Sequence, residues 1–374
     1  IAKTPLFVAG EGDHAGYRIP AIVVTPQKTV LVATEARKHN RSDWGHIDLH
    51  YRLSRDSGRT WEPARVLVGQ DDLPADLAPN AVKHGDAKPA GFTINNPTWI
   101  ADTRNGRTLL LFCAEYLRAF IIESTNGGAT FSKPREITRA FDTFRTRDGY
   151  SWRVLAIGPG HGIQTDSGRL VVPVWLSTGD GGNPHRPSVC ATLTSDDGGV
   201  TWQAGEIVAG RPGDEVPNPS ETVVVEAAPG RIMLNIRNES PRNRRAVAWS
   251  ADGATGWSKP GFAEELWEPV CMGSLAKLPD GTLLFANPAS LKPNPQRPQA
   301  ANRQRENLGV RTSADQGRSW STPLILEAGP SAYSDLAVAP DGSVLCFYEH
   351  GREGAYEKLS VARIPSASLP RHQP

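Results

Sequence analysis

Ser54-Arg55-Asp56-Ser57-Gly58-Arg59-Thr60-Trp61 is a compact punctuation mark: serine, an acidic residue two places on, glycine at the fifth place, indole at the eighth. These residue types predict a tight turn between strands. The Asp bonds the backbone of its own turn, Gly takes a positive φ, and the ring folds back to pack beneath. The mark returns at 124–131, 195–202 and 313–320, and in altered form at 250–257, where Ala254 stands in the glycine place. Each copy closes a strand-like run: 47–51, 119–123, 188–193, 246–249 and 308–311. A sixth such run, 359–363, ends near Ser366 without the mark.

Working outward, each of these runs follows an earlier, more apolar one: 30–33, 109–112, 170–174, 232–236, 283–286 and 344–348. Most begin just after Asp-Gly, Asn-Gly, Ser-Gly or Pro-Gly. Their starts lie roughly 50 to 80 residues apart, the spacing of propeller blades of four strands each. The expected fold is therefore all-β, a six-bladed β-propeller occupying 1–374 as one domain. The stretch 69–91, with Asp71, Asp72 and Pro74, reads as a loop insertion in the first blade. No long segment carries a 3.6-residue period, so helices should be few and short.

The bulk composition excludes more than it selects. The 41 Lys and Arg residues balance 40 Asp and Glu, so no global field favours nucleic acid or an acidic membrane. No apolar run approaches the roughly 18 residues of a membrane span. The 36 Gly and 31 Pro are scattered between apolar runs, which suits short strands joined by turns. Cys113, Cys190, Cys271 and Cys346 are far apart, and all but Cys271 sit in strand-like runs, so buried free thiols are expected. Nine His residues form no metal-spaced cluster, and no metal or other cofactor is expected. Residues 158–162, Gly-Pro-Gly-His-Gly, lack the Lys-Ser/Thr of a phosphate loop and read as a turn at the channel mouth.

In a propeller the central strands converge on an axial channel, and loops at one end build the site. Candidates should lie just beyond the apolar runs. Arg37 and Asp43 follow the first run, Arg237 ends the fourth, Arg305 precedes a run of the fifth repeat, and Glu349 ends the sixth.

At these positions the chain resembles the sialidase family. Tyr17-Arg18-Ile19-Pro20 is similar to the family's Tyr/Phe-Arg-Ile-Pro motif, and the punctuation marks are similar to its Asp boxes. Glu35-Ala36-Arg37 with the stretch 41–48 resembles the segment holding the acid/base Asp, at Asp43. Ser220-Glu221-Thr222 matches the family's Glu, Asn235-Ile236-Arg237-Asn238 the second arginine of a triad, and Arg305-Glu306-Asn307-Leu308 the third. Ala332-Tyr333-Ser334-Asp335 matches the nucleophilic Tyr, and Tyr348-Glu349 the Glu that supports the first arginine. The order of every element is kept along essentially the whole chain.

The resemblance implies a retaining exo-α-sialidase acting on sialylated glycans. Arg18, Arg237 and Arg305 would clamp the sugar's carboxylate, Tyr333 would attack, Glu221 would take its proton, and Asp43 would serve as acid and then base. Glu349 would orient Arg18. For Arg37 a contact to the sugar and a structural salt bridge stay equally open. These residue types suit the chemistry. Several charge-assisted bonds fix a carboxylated sugar. A neutral phenol avoids driving a second negative charge at an already anionic centre, where most retaining glycosidases use a carboxylate. Asp43 must be protonated when substrate arrives and Glu221 ionised, so Asp43 is expected in the more shielded place with a raised pKa.

Each choice has rivals. Asp48 competes with Asp43, Glu226 and Glu239 with Glu221, Arg303 and Arg311 with Arg305. Trp44, Phe92, Trp99, Trp152 and Trp175 are aromatic candidates for the walls around the N-acetyl arm and glycerol tail. Other functions stay open: a glycosidase for a deaminated or related nonulosonic acid, a trans-sialidase, or a non-catalytic Asp-box propeller that binds glycans. An extracellular substrate would imply a secreted or periplasmic protein.

Overall fold

The computed structural model describes residues 1–291 and 300–371. Its strands assemble into largely antiparallel sheets that follow one another along the chain. One sheet orders Gly16–Val24, Val30–Arg37, Ile47–Ser54 and Arg65–Val68. The next runs Ile94–Asp102, Arg107–Ala114, Arg118–Ser124 and Arg135–Glu136. A third is built on Val154–Ile157, Leu170–Ser177, Ser188–Ser195 and Gln203–Ala204, and a fourth on Thr222–Ala228, Arg231–Ile236, Arg244–Ser250 and Gly261–Trp267. A seven-stranded sheet completes the set. In it the 15-residue strand Leu324–Val338 pairs with Glu306–Ser313 through its first half and with Val344–His350 through its second. Ala2–Val8 pairs with Lys358–Ile364, so the two ends of the chain share one sheet.

Every apolar run read from the sequence lies in a strand. Second strands such as Val30–Arg37 are buried on both faces, because each sheet is covered by a neighbour on either side. Third strands such as Ile47–Ser54 alternate buried and half-buried residues. Apolar clusters fill the spaces between successive sheets. Leu31, Leu49 and Tyr51 meet Trp99, Leu110 and Phe112, and Tyr17, Ile22 and Val32 meet Leu345 and Phe347. Helices are short, as expected: Ala81–His84 and Asp142–Thr146, with brief 3-10 turns. All four cysteines are buried and unbridged. Among the described residues no helix is long and apolar enough to cross a membrane.

The punctuation marks fold as tight, self-bonded turns. Ser54 Oγ donates to Asp56 Oδ1 at 2.8 Å and accepts from the Gly58 amide at 2.9 Å. Asp56 in turn accepts from the Arg59 and Thr60 amides and the Thr60 hydroxyl. In the altered copy the turn is one residue shorter. Asp252 accepts from the Ala254 and Thr255 amides at 2.8 Å, and the positive φ passes to Gly253, so Ala254 needs no glycine conformation.

The glycine also has a second duty that spacing did not reveal. Each turn docks on the second strand of the sheet before it: Gly128 on Leu31, Gly199 on Leu109, Gly253 on Val171, Gly317 on Met233, and Gly58 on Leu345. The turns are joints between sheets.

The stretches 69–91 and 158–162 take definite places in this arrangement. The stretch 69–91 connects the last strand of one sheet to the first strand of the next. It carries Ala81–His84, whose Asn80 cap bonds the Val82 amide and the carbonyls of Glu115 and Arg153. Residues 158–162 are not a turn at the mouth. Gly160–His161 pairs in parallel with Ile94–Asp102, and His161 Nδ1 lies 2.7 Å from Asp335 Oδ1, two residues deeper along the strand than Tyr333. Close approach of two strands explains the glycines, since a Cβ on Gly158 would lie 2.3 Å from Thr98 Oγ1.

The docking role of the turns can be measured. A Cβ at Gly128 would stand 2.4 Å from buried Leu31 at a φ of +85°, whereas at Gly317 it would meet the flexible Met233 at 3.3 Å. Gly128→Ala should lower stability by about 2–4 kcal/mol in thermal or denaturant unfolding, and Gly317→Ala by distinctly less. Equal losses would show that only the turn conformation matters.

Candidate active site

The site begins with irregular backbone. The inner strand Gly16–Val24 breaks register between Arg18 and Ala21, and Ile19 sits at φ +65°, an unusual place for a β-branched residue. Bulges of this kind re-aim side chains. Here the bulge frees the Ile19 amide, which donates to Glu349 Oε1 at 2.9 Å. The strand Leu324–Val338 breaks register between Ser331 and Ser334, and the Tyr333 amide donates to Glu349 Oε2 at 3.1 Å. Both Glu349 oxygens also accept from Arg18, Nε at 3.1 Å and Nη2 at 3.2 Å. One buried carboxylate therefore sets the arginine and the backbone beneath the tyrosine.

Tyr333 Oη donates to Glu221 Oε1 at 2.6 Å and accepts from Arg237 Nη1 at 2.5 Å. Arg237 Nη1 also lies 2.5 Å from Glu221 Oε2. The guanidinium carbons of Arg18, Arg237 and Arg305 lie 5.1, 5.9 and 5.2 Å from the centre of the Tyr333 ring. Residues from distant sheets thus converge on one phenol. Burial works against the Glu221 charge, but Arg237 and the Tyr333 hydroxyl outweigh it and bring the pKa down to about 2. Burial pushes the Tyr333 hydroxyl well above the usual phenol range, with Arg237 opposing and Glu221 assisting. The tyrosine is neutral and its partner ionised, so the short hydrogen bond between them runs from phenol to carboxylate.

Asp43 departs from expectation. Its carboxylate is not shielded in an apolar place: the side chain is 44% exposed, and Oδ1 lies 2.8 Å from Arg37 Nη1 and 3.3 Å from Arg18 Nη1. Burial raises its pKa, but Arg37 and then Arg18 overcome that and hold it well below the usual carboxylate range. Arg37 is itself 1% exposed and is engaged on several sides, by Glu35 Oε2, by Asp43 and by the Arg41 carbonyl. Of the two open readings for Arg37, the structure displays the salt bridge.

Three contributors were missed in the sequence. Glu35 is fully buried, pairs with Arg37 and accepts from the Asn96 amide at 3.0 Å. Burial raises its pKa against the pull of Arg37. Its signal was the i, i+2 spacing to Arg37 on one strand face. Tyr356 accepts from Arg305 Nη1 at 2.9 Å and lays its ring 4.1 Å from the Arg18 guanidinium, but no motif surrounds it. His185 stacks near Trp175 and Tyr116 beside Asp43, on a loop without any pattern.

The structure sorts the aromatic candidates and the rivals. Trp44 and Trp175 join Tyr116 in a cluster at the Asp43 side. Trp99 and Phe92 belong to the core between two sheets, and Trp152 packs on Phe141. Asp48 bonds Gln70, Glu226 caps the 166 and 230 amides, Glu239 pairs with Arg186 and Arg303, and Arg311 bonds the Ser321 carbonyl.

The model of the BNR repeat-like domain matches residues 77–346. Sialidase-3 of Mus musculus is 26% identical over 96% of this chain and 93% of its own length. A sialidase of Micromonospora viridifaciens is 27% identical over 98% of the chain. The chain belongs to the sialidase family and carries its BNR repeat-like domain. It spans about half, 54%, of the Micromonospora protein, so that relative has further segments. Among solved structures, Hadza microbial sialidase Hz136 superposes with a TM-score of 0.77 at 24% identity, over 98% of this chain and 69% of that one.

The ion pair at the centre of this sialidase-family site makes a pH prediction. The folded pKa of Glu221 is depressed from 4.5 to about 2, so the stability it contributes is full above pH 4.5 and is lost as pH falls to about 2. Glu221→Gln should lower the melting temperature at neutral pH, by leaving Arg237 unpaired, and should flatten its decline between those two pH values. A variant whose melting curve runs parallel to the wild type would contradict the assignment.

Proposed function

We propose that the chain is a retaining exo-α-sialidase, working through a tyrosyl-enzyme intermediate on a six-bladed propeller formed by 1–374 as a single catalytic domain. The blade count takes the two halves of the seven-stranded sheet as one blade each, sharing Leu324–Val338. The observation that carries the functional reading is the Tyr333 hydroxyl held between Glu221 and Arg237 amid three guanidiniums. The substrates would be sialylated glycans, met outside the cytoplasm by a secreted or periplasmic protein.

In this reading Arg18, Arg237 and Arg305 bind the carboxylate on the anomeric carbon and hold it through a flattened, oxocarbenium-like transition state. Tyr333 Oη forms a bond to that carbon while its proton passes to Glu221. The bond to the glycosidic oxygen breaks as Asp43 protonates the leaving group. Asp43, now a carboxylate, takes a proton from water. The water oxygen attacks the anomeric carbon, and the Tyr333 oxygen leaves and recovers its proton from Glu221. Two inversions give net retention.

The depressed pKa of Asp43 in the free protein has a place in this sequence. A substrate carboxylate on Arg18 adds negative charge beside Asp43 and draws the guanidinium's field away from it. Both changes raise the Asp43 pKa. The acid is then made by substrate binding. Binding of an unreactive sialic acid analogue near pH 5 should take up a proton, seen as a dependence of the calorimetric heat on buffer ionisation. Asp43→Asn should abolish that uptake, and uptake that persists in the variant would place the proton elsewhere.

Release of 4-methylumbelliferone from its α-sialoside tests the reading as a whole. Tyr333→Phe should lower that rate by roughly 10²–10⁴-fold while still binding the analogue. A fluorinated donor should label the wild type and not this variant. Activity confined to the deaminated sugar, or a transfer product in place of free sugar, would redirect the assignment within the glycosidases. No activity with retained binding would leave a glycan receptor.

A further inference from the structure

Three guanidiniums around one ring repel one another, and each needs something to hold it in place. Arg18 lies on Glu349 and Asp43, and Arg237 lies on Glu221. Arg305 differs. Among the described residues it pairs with no carboxylate. Its Nη1 donates to the Tyr356 hydroxyl at 2.9 Å, and its Nη2 donates to the Val270 carbonyl at 2.6 Å. Both acceptors are neutral. They fix the direction of the guanidinium without cancelling its charge, whereas a carboxylate would compete with any incoming anion.

Each neutral acceptor is itself firmly held. Val270 sits at φ +50° in a turn tied by Glu268, which accepts from the Cys271 amide at 2.8 Å and pairs with fully buried Arg245 at 2.6 Å. Arg245 also donates to the Cys271 carbonyl at 2.8 Å. On the other side, Tyr356 ends a loop whose Arg352, Glu353 and Gly354 amides all donate to the Glu357 carboxylate, at 3.0, 2.7 and 3.0 Å. The Glu357 carbonyl accepts from the Ala9 amide at 2.8 Å, tying the loop to the start of the chain. The Tyr356 ring then lies against Arg18, 4.1 Å from its guanidinium carbon. One side chain thus spaces two arginines, with its hydroxyl on Arg305 and its face on Arg18.

We propose that Tyr356 is a positioning residue of the carboxylate clamp, which aims an uncompensated Arg305 at the substrate's acid group and keeps Arg18 apart from it. The inference rests on the sialidase reading of the same site. It separates the clamp into two parts. Arg18 and Arg237 are held by carboxylates and shape the pocket. Arg305, held by neutral oxygens, supplies the net charge that selects an anion.

The test measures binding of a 2,3-unsaturated sialic acid analogue and of its methyl ester by calorimetry, beside turnover of the aryl sialoside. Tyr356→Phe keeps the ring and loses the hydroxyl. Its dissociation constant for the acid should rise roughly tenfold, with little change for the ester, so that the preference for acid over ester shrinks. KM should rise in parallel, kcat should change little, and the melting temperature should stay near that of the wild type. Tyr356→Leu removes both contacts and should lose more of the preference. If the wild type is active and Tyr356→Phe keeps its full preference for the acid, the inference is overturned and the sialidase reading stands. If acid and ester weaken equally, Tyr356 only packs, and the inference is likewise overturned. A wild type that neither binds the acid nor cleaves the sialoside would overturn both.

Discussion

The carboxylate of Glu349 is the constraint on which the rest of the site is hung. It is fully buried, yet it is not an orphan charge, because its oxygens accept from the Arg18 guanidinium and from the Ile19 and Tyr333 amides. Burying such a group without partners would cost several kcal/mol. Both amides are available only because their strands leave regular pairing at these points. The backbone irregularity and the buried charge therefore stabilise one another. Neither an ideal strand nor a lone carboxylate would survive there.

The allocation of counter-charges follows from that anchor. Glu349 neutralises Arg18 from below, Glu221 neutralises Arg237 from the side, and Glu35 holds Arg37, which in turn holds Asp43. Every carboxylate in the group touches an arginine, and Asp43 touches two. This is why shielding alone gave the wrong sign for its pKa. Where two guanidiniums crowd one carboxylate, proximity to positive charge outweighs partial loss of water. The protonation states of Asp43 and Glu221 in the free protein are thus alike, and a difference between them must come from the ligand.

The fold was legible because it repeats. The mark at Ser54 to Trp61 recurs with its partners in fixed places, and the apolar runs around it alternate or not according to whether one or both faces are covered. What spacing could not show is that each Gly docks on the preceding sheet, since the partner lies a repeat away. The convergence of the candidate residues was legible wherever a residue sat in an ordered motif, as Arg18, Glu221, Arg237 and Tyr333 do. It was not legible where position comes from folding alone. Tyr356 is in a loop of the one repeat that lacks the mark, and His185 follows the low-pattern stretch at Gly181 and Gly182. The misreading of residues 158–162 has the same origin: glycines that permit close strand approach look, in sequence, like glycines that make a turn.

The place of the site relative to the chain's ends gives the last step. Arg18 and Glu349 are 331 residues apart, on the sheets that meet where the chain closes on itself. Along that seam Phe7, Tyr17 and Val32 pack on Leu345 and Phe347, the Ile22 amide donates to Asp335, Gly58 docks on Leu345, and Arg59 pairs with Asp341. The apolar contacts are non-directional and would tolerate sliding by a fraction of an ångström. The polar ones would not, because hydrogen bonds weaken steeply with misalignment. Closing the seam and aligning Arg18 with the Tyr333 ring are accordingly the same event. Without that join Arg18 would lack both the Glu349 carboxylate and the Tyr333 ring, since these groups arrive from opposite sides of it.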